Sequence, residues 1–333
     1  MTTDGQRPLD PARLTLDSFQ SADGAMLRCL ELARLAAQTD LPVLILGESG
    51  TGKTLLARAI HNSSRRARGP FVSFNAAALS DTLVDSQLFG HEKGAFTGAD
   101  RRVKGKFELA HGGTLFFDEI ADMTPVAQAK ILRAVEYGEF ERLGSERIQV
   151  ADVRLVSATY LPLRRFIESE RFRKDLFYRM SGLTITIPPL RDRPNDLRAL
   201  VASEIVLAGR KQGKTVTGLD KAAADRLLAY PWPGNLRELS RVVHSAVALT
   251  QGDVIPATAV EILLDSNESS APALPGPAAA ADGEPAAPED DLRLRTLERQ
   301  HIRAVLERVS GNKRLAAKLL GVSRSTLDRK LEG

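Results

Sequence analysis

The sequence predicts an α/β domain built on a parallel sheet, a helical subdomain after it and, beyond a linker, a small separate all-α domain. Three observations carry this. Short apolar, β-rich runs alternate with helical patterns from about residue 15 to Pro188. After Pro188 the β-like runs stop, and helical spacing continues over Pro194–Arg210, Leu219–Tyr230, Asn235–Thr250 and Pro256–Leu264. From Asp265 to Asp291 there are too few large apolar side chains to offset the entropy of ordering the chain, so this stretch reads as a tether. The resulting divisions are a short extension at 1–17, an α/β core at 18–187, a helical subdomain at 188–264, a linker at 265–291 and an all-α domain at 292–333.

The 333 residues, 43% of them hydrophobic, suffice for one sizeable core and one or two small ones. Cys29 is the sole cysteine, which excludes an intramolecular disulfide and a cysteine-built metal cluster within one chain. A reducing, cytoplasmic setting fits that usage. No run approaches the ~20 apolar residues of a membrane span, and the opening MTTDGQRPLDPARL lacks the apolar core of a signal peptide. The expectation is a soluble protein with no membrane partner. Net charge is only +4, but Arg293 to Gly333 holds 11 basic against 4 acidic residues, so the positive charge sits in the tail.

Val43–Leu46, Phe71–Asn75, Thr114–Phe117, Arg154–Ala158 and Leu183–Ile187 read as buried strands. The first leads directly into Gly47, Glu48, Ser49, Gly50, Thr51, Gly52, Lys53 and Thr54, followed by the helical LLARAIHNSS. This is the phosphate-loop pattern in its strand-loop-helix setting. Glycines let backbone N–H groups surround an anion, and the helix N-terminus adds its positive end. Lys53 is expected to reach the β- and γ-phosphates of ATP and Thr54 to bind Mg2+. The strand at Thr114–Phe117 ends in Asp118 and Glu119. Hydrolysis needs one carboxylate at the metal, here Asp118, and another beside the attacking water, here Glu119.

Between these signatures stands LFGHEKGAFTGA, residues 88–99, in which Gly94, Ala95, Phe96, Thr97, Gly98 and Ala99 resemble the GAFTGA loop of sigma-54-dependent transcription activators, the bacterial enhancer-binding proteins of the AAA+ class. From the residues alone, Phe96 either packs inward or meets a partner. GTLFFDEI, AKILRAVEYGEFERLGS, VRLVSAT, FRKDLFYRM, IPPLRDRPNDL and YPWPGNLREL are also similar to that family, and together the matches cover nearly all of Phe19 to Leu264. The resemblance implies an AAA+ core with a helical lid, and a loop whose Phe96 and Thr97 contact the sigma factor. It implies that Arg173 and Arg179 reach the γ-phosphate of a neighbouring subunit, as guanidinium groups suit. Arg237 matches the lid's sensor arginine, and Asn75 a switch asparagine that restrains the catalytic glutamate. One position departs from the pattern. Tyr160 stands where the family carries asparagine, and a phenol cannot present the same short amide; either Thr159 carries the sensing or hydrolysis is weakened.

In the tail, Ile302, Val305, Leu306 and Val309 share one helical face, and Gly311-Asn312 ends that helix. Lys313 to Leu331 then reads as two crossing helices turned at Gly321, with Ser323 as the second N-cap. The pair resembles the Fis-type helix-turn-helix, which implies DNA contact through Ser323, Arg324, Ser325, Thr326, Arg329 and Lys330. A plain dimerisation hairpin is the other reading of the residues.

The partners so implied are sigma-54 RNA polymerase holoenzyme, double-stranded enhancer DNA and a homo-oligomer, a hexameric ring when active and a dimer when not, or co-assembly with a related activator. With fewer than twenty residues ahead of the motor, the expectation is that no receiver or ligand-sensing domain precedes it and that a trans-acting regulatory protein can supply control. A DNA-binding repressor with a vestigial ATPase is the alternative function, opposed by intact Lys53, Asp118, Glu119, Phe96 and Thr97. A helicase, clamp-loader or chaperone motor is the third, but nothing in those classes calls for such a loop with a Fis-like tail.

Overall fold

Nearly continuous apolar runs form parallel strands when helices cover both faces of the sheet. In the computed structural model, which describes residues 13–75, 81–268 and Lys313, five runs do so: β1 (Val43–Leu46), β2 (Phe71–Asn75), β3 (Thr114–Asp118), β4 (Arg154–Thr159) and β5 (Leu183–Thr186). They pair in parallel in the order β2-β3-β4-β1-β5. The register sets Leu46 beside Thr159 and Asn75 beside Asp118, so the strands' C-terminal ends share one edge. Ligands of open α/β sheets bind outside that edge.

Side chains alternate across a strand, and the core divides accordingly. Val43, Ile45, Phe116 and Val156 pack with Leu30, Leu56 and Ile60 from α1 (Gly24–Ala37) and α2 (Lys53–Asn62). Leu44, Leu115, Phe117 and Leu155 face the other way, onto Leu88, Ile131 and Leu176 from α3 (Asp81–Phe89), α4 (Pro125–Tyr137) and α5 (Lys174–Met180). Each fully buried side chain of this size contributes roughly 1.5–3 kcal/mol. The termini of α4 follow from its sequence. Thr124 accepts the Ala127 amide at 3.4 Å, Pro125 opens the first turn and Gly138 closes the helix at φ 70°.

Two short antiparallel hairpins leave this framework, Gly90–His91 with Val103–Lys104 and Glu139–Glu141 with Ile148–Val150.

The helical subdomain holds α6 (Pro194–Gln212), α7 (Lys221–Ala229), α8 (Asn235–Leu249) and α9 (Ala257–Glu268). Its core surrounds Trp232, which is wholly buried and donates its indole N–H to the Leu227 carbonyl at 3.0 Å. Two details differ from the sequence reading. Gly218–Leu219 and Val254–Ile255 form a small parallel pair, too short to leave an alternating pattern. Helix α9 runs on to Glu268, into the stretch read as tether, because extending a helix fixes one residue per added bond whereas the compositional reading averages over many. No helix among the described residues is long and apolar enough to cross a membrane. The rest of the tether and, Lys313 apart, the basic tail, with Ser323, Arg324, Ser325, Thr326, Arg329 and Lys330, lie outside the described residues.

Candidate nucleotide site

Residues 47–54 turn from β1 into α2 at the C-terminal edge of the sheet. Thr51 donates its hydroxyl to the Glu48 carbonyl at 2.8 Å, which tightens the loop. Lys53, almost fully buried, donates to the carbonyls of Gly47 and Glu48 at 2.9 and 3.2 Å and lies 3.6 Å from Glu119. Gly50 has a left-handed backbone, φ 80°, and a Cβ there would fall 2.2 Å from the Gly234 carbonyl. Only glycine satisfies both conditions.

Across from the loop, the Thr54 hydroxyl donates to Asp118 at 3.4 Å, and Asn75 is the register partner of Asp118 on β2. These hard oxygen donors fit Mg2+ beside phosphates. The buried ammonium of Lys53 at a helix N-terminus fits the phosphates themselves.

Glu119 follows β3 in a left-handed conformation, φ 53°, a backbone strain of the kind that clusters at functional sites. Burial raises its carboxyl above the ordinary range, opposed by Lys53 and by the Tyr160 amide, which donates to it at 3.3 Å. A carboxylate whose proton affinity is raised is a better proton acceptor.

The tip of β4 touches both sides of the site. The Thr159 carbonyl accepts the Gly47 amide at 3.3 Å. The Thr159 hydroxyl, by contrast, accepts the Leu161 amide at 3.0 Å, and the residue is wholly buried. Thr159 therefore belongs to this edge through its backbone, while the Tyr160 side chain is half exposed.

Arg237, near the start of α8, donates to the Ser49 hydroxyl at 2.9 Å, so the lid reaches the loop. Three further residues make contacts there that had no sequence signal. Arg191 forks onto Glu48 at 2.6 and 2.8 Å, Asn235 donates to Glu48 and to the Ser49 carbonyl, and the Leu236 amide donates to the Gly50 carbonyl. A buried clasp ties the start of α6 to the segment before α1. Asp196 accepts the Ala22 amide, the Ser21 hydroxyl and the Arg193 guanidinium, while Asp23 accepts the Asp196 amide.

Arg173 and Arg179 are exposed and share no bond with the phosphate loop among the described residues. Arg173 forks onto Asp175 at 3.0 and 2.7 Å, and Arg179 donates to the Glu136 carbonyl at 3.4 Å.

Residues 94–99 form a tight loop above the Gly90–His91 hairpin, closed by the Gly94 amide on the Ala99 carbonyl and the Ala99 amide on the Phe96 carbonyl. Gly94 and Gly98 both take positive φ with open space around them. Phe96 sets its edge against His91, ring centres 4.9 Å apart, and Thr97 is exposed. Arg142, from the second hairpin, is buried and pairs with both Glu92 and Glu108. That role was not visible in the sequence.

A five-stranded sheet in this order, a phosphate loop after β1, paired carboxylates after β3 and a helical lid on the loop define an AAA+ ATPase. Comparison with known proteins narrows the class. The sigma-54 interaction domain family matches residues 19–186, the AAA+ ATPase lid domain residues 191–275, and the Fis family of bacterial regulatory proteins residues 293–332. Transcriptional regulatory protein ZraR of Klebsiella oxytoca is 44% identical over 310 residues, 92% of this chain and 67% of that protein. DNA-binding transcriptional regulator NtrC of Azospirillum brasilense is 44% identical over 317 residues, 90% and 66% respectively. The crystal structure of NtrX from Brucella abortus in complex with ATP superposes with TM-score 0.68 at 32% identity, over 96% of this chain and 69% of that one. The chain thus belongs to the sigma-54-dependent transcriptional activators of the NtrC and ZraR type, and it spans about two thirds of the length of these relatives.

Proposed function

We propose that this ATPase opens promoters for sigma-54 RNA polymerase. Anchored on upstream enhancer DNA through its Fis-type tail, it assembles into a ring, hydrolyses Mg2+-ATP and remodels the closed polymerase complex into the open one. The observation that carries this reading is the Gly94–Ala99 loop, an aromatic-bearing turn on a hairpin beside the ATPase core.

In this reading Lys53 holds the β- and γ-phosphates, and Thr54 and Asp118 hold Mg2+, which neutralises phosphate charge when bound. Glu119 takes a proton from the water that attacks the γ-phosphorus; the bond to the bridging oxygen breaks and ADP and phosphate leave. Asn75, next to Asp118, restrains Glu119 until the sigma factor is engaged. Arg173 and Arg179 of one subunit face the γ-phosphate held by its neighbour, and Arg237 reports from the lid. Phe96 and Thr97 then contact the sigma factor.

The test is open-complex formation by purified chain and sigma-54 polymerase on a premelted promoter, with and without ATP. ATP-dependent complexes are expected. Failure of ATP to promote them in any assembly state, or with any related activator added, overturns the reading.

A further inference from the structure

Glu48 falls at an unspecified position of the phosphate-loop pattern, yet both of its oxygens accept hydrogen bonds. Oε1 accepts Arg191 Nη2 at 2.6 Å, and Oε2 accepts Arg191 Nη1 at 2.8 Å and Asn235 Nδ2 at 3.2 Å. A carboxylate turned toward phosphates would repel them, whereas a guanidinium fork both neutralises it and fixes its direction. Asn235, wholly buried and left-handed at φ 53°, also donates to the Ser49 carbonyl at 3.0 Å and accepts the Leu190 amide at 2.7 Å. The next residue, Leu236, donates its amide to Gly50 at 3.0 Å, and the one after is Arg237 on Ser49. The reach of Arg237 is therefore set by how residues 234–236 seat on the loop.

We propose that Glu48 and Arg191 form a latch that positions Arg237: joined through Asn235, they seat α8 on the phosphate loop, so ATP turnover depends on a carboxylate committed to the lid. The fork holds the Glu48 carboxyl below its ordinary range, against the opposing effect of burial, so the pair stays ionised at neutral pH. Both side chains are more than two-fifths exposed. Exposed ion pairs add little to global stability, so the latch can open while the fold stays intact.

The inference rests on ATP hydrolysis and not on promoter opening, so its test needs neither polymerase nor promoter. Arg191→Ala and Glu48→Gln are compared with the unaltered chain for ADP affinity, for kcat and KM of ATP hydrolysis, and for hydrogen exchange at the Leu236 amide. The expected result is kcat down by about tenfold or more, a clearly smaller change in ADP affinity, and faster exchange at Leu236. Arg191→Lys, which keeps charge without the fork, falls between. Added to Arg237→Ala, neither substitution slows turnover further, because both act through that side chain. An unchanged kcat, a loss additive with Arg237→Ala, or a fall in ADP affinity as large as the fall in kcat overturns the latch. Glu48→Gln preserves side-chain shape and decides the matter should Arg191→Ala fail to fold.

Discussion

One oxygen of Glu119 lies 3.6 Å from the Lys53 ammonium while the other accepts the Tyr160 amide at 3.3 Å. The carboxylate is thereby fixed at the edge of the phosphate loop without being a bond partner of the loop's backbone. Glu119→Ala should leave ATP binding near its original strength and lower kcat by about a hundredfold or more, the usual weight of a general base. Equilibrium ATP binding and steady-state turnover check this together, and retained turnover refutes the assignment.

Thr97 is exposed at the tip of a loop whose closing bonds are all backbone. Thr97→Ala therefore leaves the loop's own bonding intact. ATP hydrolysis should persist within about twofold, as for surface substitutions away from a site, while open-complex formation is lost. Normal promoter melting by the variant would refute the sigma contact.

The Arg173 guanidinium is held by Asp175 and shares no bond with its own phosphate loop among the described residues; in the proposed reading it serves the phosphate of a neighbouring subunit. Arg173→Ala should lower turnover by about a thousandfold, the scale of an arginine finger. Mixing it with Lys53→Ala subunits should restore part of the activity, because some interfaces then pair an intact loop with an intact finger. Mixtures as inactive as the parents would place Arg173 outside the reaction.

Burial by itself would raise the Asp196 carboxyl, but the Ala22 amide, the Ser21 hydroxyl and Arg193 together hold it below its ordinary value. A depressed carboxyl contributes stability that is complete above its unfolded pKa and is lost as pH falls through the folded one. Asp196→Asn should destabilise the chain by about 3 kcal/mol at neutral pH, because Arg193 stays buried without its charge partner. Denaturant unfolding should show that difference shrinking as pH drops below the ordinary aspartate range. A difference independent of pH would refute the clasp's ionic character.

What could be read from the sequence was whatever is local. The phosphate loop, the DE pair after β3 and the five strands announce themselves within a few residues, because apolar runs and glycine spacing are short-range patterns. The Glu48 to Arg191 fork joins positions 143 residues apart, and Asp23 meets the Asp196 amide across 173. No periodicity names such pairs. Arg142 and Asn235 were likewise hidden inside stretches quoted for their likeness to a family, where nothing distinguished a buried clamp from a surface charge. At Thr159 the hydroxyl accepts the Leu161 amide, a turn of the chain that the residue type alone does not announce.

The end of β4 ties together the two sides of the site. Its carbonyl at 159 leans on Gly47, and its amide at 160 leans on Glu119. The two bonds belong to one planar peptide unit, so the first glycine of the loop and the Glu119 carboxylate are joined through a single rigid link. The Tyr160 side chain is half exposed beside that link and takes no part in it, since the bond to Glu119 is made by the backbone amide.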